Sequence, residues 1–112
     1  MNIHTRTVGD AHILDISGQI ILGQGTMVVR NTIKDLLHNG VKKIVLNLAE
    51  VNYIDSSGVG ELVSSFTTVA MEGGQLKLLN LTTKVQEILA ITRLLTVFQV
   101  FDNEQAAVAS FA

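Results

Sequence analysis

A chain of 112 residues that is 47% hydrophobic and has no cysteine can bury one core without disulfides or metals, and it excludes thiolate metal sites and cysteine nucleophiles. Eight Lys and Arg against ten Asp and Glu give a formal net charge of −2; the basic residues (Arg6, Arg30, Lys34, Lys42, Lys43, Lys77, Lys84, Arg93) are scattered, so no stripe exists to neutralise a nucleic-acid backbone. The start "MNIHTRTVGD" has no apolar signal core, and no apolar run reaches the roughly 18 residues that cross a bilayer, so a single cytoplasmic domain over residues 1–112 is the expectation, with no direct nucleic-acid contact and no membrane insertion.

In chain order, "TRTVGDAHILDISGQI" predicts two short strands about a Gly9-Asp10 turn, with His12, Leu14 and Ile16 on one face of the second and Ile13 and Asp15 on the other. "TMVVRNTIKDLLHNG" spaces Val29, Ile33, Leu36 and Leu37 as an amphipathic helix that stops at Gly40. "KKIVLNLAEV" is an apolar run bounded by charge, as in a central strand covered on both faces. After it, Val59, Leu62, Val63, Phe66 and Val69 recur at helical intervals up to "EGG". "QLKLLNL" predicts another strand, and Thr83 with Gln86 forms a capping-box pattern for a third helix through Val85, Ile88 and Leu89. "TVFQVF" predicts a last strand, and Asp102 with Gln105 opens a last helix that packs Val108 and Phe111. The tally, β-β-α-β-α-β-α-β-α, argues for an α/β fold with a mixed, largely parallel sheet.

The distinctive stretch is "YIDSSGVGEL", residues 53–62, where the central strand hands over to the second helix. A nucleophile elbow needs Gly-x-Ser-x-Gly, but Asp55 and Val59 occupy those glycine positions around Ser57 and Ile54 occupies the first around Ser56. His4, His12 and His38 lie far apart, with nothing to bring a base to Ser57. No Gly-Lys-Ser/Thr occurs, and "GQGT" at residues 23–26 lacks the third glycine of a dinucleotide fingerprint. No ligand cluster is readable in the acids and histidines, so no metal or organic cofactor is expected. Asp55 or Ser56 suits the N-cap of the second helix. A cap uses only one of them, and Gly60 costs a first helical turn roughly 0.5 to 1 kcal/mol against Ala. Small residues at 58 and 60 are read as room for something to approach.

"LAEVNYIDSSGVGEL", preceded by "ISGQI" and an amphipathic helix and followed by "GGQLKLLNL" and "ILAITRLLTVFQVFDNEQAAVASF", resembles the STAS-domain family, in particular the stand-alone anti-sigma-factor antagonists of bacteria. The resemblance covers nearly the whole chain. It implies a sheet of four to five strands flanked by helices, and a non-enzymatic role in partner switching. The partners it implies are an anti-sigma factor with serine kinase activity and a serine phosphatase. Carried over, the phosphorylated residue is Ser57, and the partner surface comprises Asp55, Ser56, Ser57, Gly58, Gln19 and Ile21. The alternative is a non-switching interaction module, either a scaffold of a signalling assembly or a soluble subunit of a membrane transport complex. One departure is visible: family members of the phosphorylated type often carry an acid shortly after the glycine that ends the second strand, whereas Gly18 is followed here by Gln19, Ile20, Ile21 and Leu22. Ile20, Ile21 and Leu22 are either core and loop cover or part of a hydrophobic partner site.

Phosphate on Ser57 is expected to sit at the positive end of the second helix without unfolding the domain and to repel a docked partner beside Asp55 and Glu61. Ser57→Asp is expected to weaken partner binding, and a change at Lys77 is not.

Overall fold

Gly9, with φ +62°, turns the chain between β1 (Asn2–Val8) and β2 (Ala11–Ile20), which pair antiparallel. The remaining strands are β3 (Lys43–Ile54), β4 (Gln75–Leu79) and β5 (Val100–Phe101); the helices are α1 (Gln24–His38), α2 (Ser56–Met71), α3 (Thr83–Ile91) and α4 (Glu104–Ala109). This computed structural model describes residues 1–111. The five strands lie in the order β1-β2-β3-β4-β5, and every pairing after the first is parallel. The α/β fold with its mixed, largely parallel sheet follows from the alternation of apolar strands and amphipathic helices.

Both sheet faces are covered, as the consecutive buried residues Ile44, Val45 and Leu46 of β3 require. Leu14, Ile16, Ile44, Leu46 and Leu48 pack with Val29 and Ile33 of α1, Leu62 and Val69 of α2, and Val85 and Leu89 of α3. On the other face Ala11, Ile13, Val45 and Leu79 meet Ala107 of α4 and Phe111.

Beyond Asn47, β3 pairs with β2 alone, and two register shifts put Ile20 opposite Ile54. Each shift inserts one extra residue into β3, the device by which bulges re-aim a strand end. The overrun carries residues 53–58 past the end of β4.

Three local expectations are corrected. The N-cap of α3 is Thr82 rather than Thr83: its hydroxyl accepts from Val85 N–H and donates to the Val51 carbonyl, so it also ties α3 to β3. The N-cap of α4 is Asn103, whose side-chain oxygen accepts from Ala106 N–H at 2.9 Å, not Asp102. "TVFQVF" is mostly not strand. Leu95–Val97 form a 3-10 turn, and buried Phe98 packs edge-on against Phe66 with ring centroids 5.4 Å apart, leaving two residues to pair with β4.

Lys77 is also not a neutral surface position. It is 2% exposed, its ammonium donates to the Ser110 carbonyl at 3.1 Å and hydroxyl at 2.7 Å, and it lies 4.4 Å from the centre of the Phe111 ring. Burial pulls its pKa below the ordinary lysine value.

Candidate functional site at the N-terminus of the second helix

Asp55 follows buried Ile54 with an extended backbone, φ −100° and ψ −177°, the usual conformation of an N-cap. One carboxylate oxygen, Oδ1, accepts from Gly58 N–H at 2.8 Å. The other, Oδ2, accepts from Leu22 N–H at 3.1 Å, a residue 33 positions away. These two bonds, the Gly58 one foremost, hold the Asp55 carboxyl below the ordinary aspartate range. Asp55 is therefore the cap of α2, which leaves the two hydroxyls for other work. Ser56 is exposed and Ser57 half-buried in the first turn.

The segment after β2 is fastened to this turn. Asp55 N–H faces the Ile20 carbonyl at 3.4 Å, and Thr26 N–H donates to Ile21 at 3.1 Å. A Cβ on Gly25 would stand 2.8 Å from the Gln19 carbonyl oxygen. Gln19 is exposed and Ile21 half-buried. With Met1, Gly18, Leu22, Gln24 and Gly25, these two residues line a shallow recess of about 370 Å³ beside the motif.

Two readings of the motif change. The room at Gly58 is already filled: a Cβ there would overlap the Ile20 carbonyl oxygen and lie 2.6 Å from Ile54 Cγ1. Gly58 is buried and permits α2 to close on β2; it does not open a path to Ser57. Gly60 faces open space, so nothing in this chain occupies the room it leaves. Glu61 is not a surface charge either. It is 4% exposed, paired with Arg30 at 2.8 Å, and accepts from the Ser65 hydroxyl. Of the two acids expected beside a phosphate, only Asp55 is at the surface of the motif.

Of the apolar residues after Gly18, Ile20 is core and Leu22 is surface, and the periodicity did not reveal that Met27 and Tyr53 are exposed around the motif as well. Leu22 is 76% exposed, Met27 56% and Tyr53 42%, and Lys84 lies over the Tyr53 ring. A larger recess of about 640 Å³ lies beyond β4 and β5, with Asn80, Thr82, Gln86 and Asp102 in its lining. Asn80 has φ +57°, a conformation that Asn tolerates better than most residues. Among the described residues, no group of three or more His, Asp and Glu could hold a metal ion, and no helix is long and apolar enough to cross a membrane.

The STAS-domain family model matches residues 2–107. The chain belongs to the STAS-domain family. This STAS domain is 30% identical over 95 residues to the anti-sigma-B factor antagonist of Bacillus subtilis, covering 85% of each chain. It is 24% identical over 92 residues to the anti-sigma F factor antagonist of Paenibacillus polymyxa, covering 82% of this chain and 79% of the relative. Its fold is shared with the Bacillus cell fate determinant SpoIIAA in the phosphorylated form: TM-score 0.76 and 18% identity, over 99% of this chain and 100% of the other.

Proposed function

We propose that this STAS domain is a stand-alone anti-sigma-factor antagonist: it binds an anti-sigma factor with serine kinase activity through residues 55–58 and 19–25, and phosphorylation of Ser57 separates the two. The observation that carries the proposal is the division of labour in the first turn of α2. Asp55 alone supplies the cap, so Ser57 keeps its hydroxyl outside the capping bonds, half-exposed at the end of the helix where a new anion is tolerated. Relatives called anti-sigma factor antagonists and a neighbour of the same fold in a phosphorylated form support the same reading. A kinase would bring its own base and Mg²⁺, so the lack of a catalytic constellation around Ser57 is no obstacle.

Phosphorylation adds about −1.5 to −2 charges beside Asp55. Like charges pressed together at an interface cost several kcal/mol, which at about 1.4 kcal/mol per tenfold is roughly a hundredfold in affinity. A serine phosphatase would restore the binding form. Calorimetry with a purified serine-kinase anti-sigma protein tests this. Ser57→Asp should bind markedly more weakly than wild type, and Met71→Ala should not, because Met71 is exposed at the far end of α2, about 21 Å away at 1.5 Å per residue. Equal affinity for Ser57→Asp and wild type would refute the switch. That outcome would favour a non-switching interaction module, the reading that agrees with the absence of an acid among Gln19, Ile20, Ile21 and Leu22.

A further inference from the structure

Most N-cap carboxylates serve one helix, whereas Asp55 serves two segments. Its Oδ1 takes Gly58 N–H of α2 and its Oδ2 takes Leu22 N–H from the loop after β2. Leu22 is the residue that the second bond holds. With 76% of its surface in water, its side chain has little packing of its own to hold it. Its position is set through the backbone: by Asp55 at Leu22 N–H, by the Ile21 carbonyl bonded to Thr26 N–H, and by Gly23 at φ +99°. A large apolar side chain held out by backbone bonds keeps its surface in water in the free protein, and covering that surface with a partner is favourable in proportion to the apolar area removed from water.

We propose that Asp55 is the positioning residue of the partner surface: Oδ2 holds Leu22 beside Ser57 as an apolar anchor for the serine-kinase anti-sigma protein, while Oδ1 caps α2. This rests on the function proposed above and deepens it. The two duties are chemically separable. Asn is as good a cap as Asp, but it has a single side-chain oxygen. When that oxygen takes Gly58 N–H, the amide NH₂ is turned toward Leu22 N–H, donor against donor. Asp55→Asn should therefore keep the helix and free the loop. The low pKa of the carboxyl agrees with two donors on one charged group.

Amide hydrogen exchange followed by NMR, with Leu22 and Gly58 resolved, tests the tether. In Asp55→Asn, Leu22 exchange should accelerate at least tenfold while Gly58 exchange stays at the wild-type rate. In wild type, the Asp55 side-chain carboxyl carbon and the Leu22 amide should titrate with one midpoint, a measurement that stands even if the variant folds poorly. Unchanged Leu22 exchange in a folded Asp55→Asn chain, or two separate midpoints, overturns the tether. Calorimetry against the serine-kinase anti-sigma protein tests the anchor. Asp55→Asn and Leu22→Ala should each weaken binding about tenfold, and the double variant should weaken it no further. Additive losses, or wild-type affinity in Asp55→Asn, overturn the anchor. A wild-type chain that binds no such protein refutes the anchor and the proposed function together; sound binding with an unaffected Leu22 amide refutes the tether alone.

Discussion

Substituting alanine at Gly58 and at Gly60 should move stability in opposite directions, although the two lie two residues apart in one helix. Both changes gain the intrinsic preference of a helix for Ala over Gly, about 0.8 to 1 kcal/mol in an interior position. At Gly60 the new methyl meets nothing within 4 Å, so the gain stands, at about 0.5 to 1 kcal/mol near the helix start. At Gly58 the methyl would overlap the Ile20 carbonyl oxygen and crowd Ile54. A main-chain oxygen cannot swing aside as a side chain can, so α2 must lift from β2. Overpacking of this kind costs typically 1 to 3 kcal/mol and sometimes more, and an obstruction by main chain belongs at the upper end. The net expectation for Gly58→Ala is a loss of about 2 kcal/mol. Since 1 kcal/mol shifts the midpoint of a domain of this size by about 4 °C, Gly58→Ala should melt about 8 °C lower and Gly60→Ala about 2 to 4 °C higher. Urea unfolding at unchanged m-value would verify that the native state is what has changed. Wild-type stability in Gly58→Ala would show that the β2 end and α2 are not in contact as described.

Lys77→Ala should cost about 2 kcal/mol or more, as removal of a buried aliphatic stem does, whereas Lys77→Met, which keeps the stem and drops the desolvated charge, should stay within about 1.5 kcal/mol of wild type. Because the Lys77 pKa is lowered in the folded state, the unfolded chain binds more protons there. Stability from this group therefore rises with pH from the lowered value up to the ordinary one near 10.4, and Lys77→Met should lose that rise in alkaline denaturation. Arg6 joins Asp15 of β2 to Glu104 in the first turn of α4 and holds both carboxyls below their usual values. Their stabilisation is present above the unfolded values of about 3.9 and 4.3 and is lost as pH falls through the lowered ones. Arg6→Ala should flatten the acid limb of the stability curve and, since all three side chains are about one-third exposed, cost about 1 kcal/mol at neutral pH.

The order of elements was legible because strands and helices write their periods locally: Leu14 and Ile16 against Ile13, or Leu62, Phe66 and Val69, declare their faces without help from distant residues. Boundaries slipped by one at Thr82 and Asn103, where two adjacent residues of capping type compete and tertiary contact decides; Thr82 wins by reaching Val51. The charged residues were the least legible. Glu61 and Lys77 have the types of solvated positions, and what buries them is a partner 31 residues away in Arg30 or 33 residues away in Ser110. The site divides the same way. Asp55 and the two serines announce a cap with a hydroxyl to spare, but the bond from Asp55 to Leu22 depends on β2 and β3 ending side by side, with two bulges setting which residues meet.

The most direct test of the partner-switching account is the site of phosphorylation. The chain is incubated with ATP and a serine-kinase anti-sigma protein that binds it, and the product is mapped by mass spectrometry. The account predicts a single phosphate on Ser57, lost in Ser57→Ala and retained in Ser56→Ala, together with release of the modified chain. Phosphate on Ser56, or no phosphate from a kinase that demonstrably binds, would contradict it.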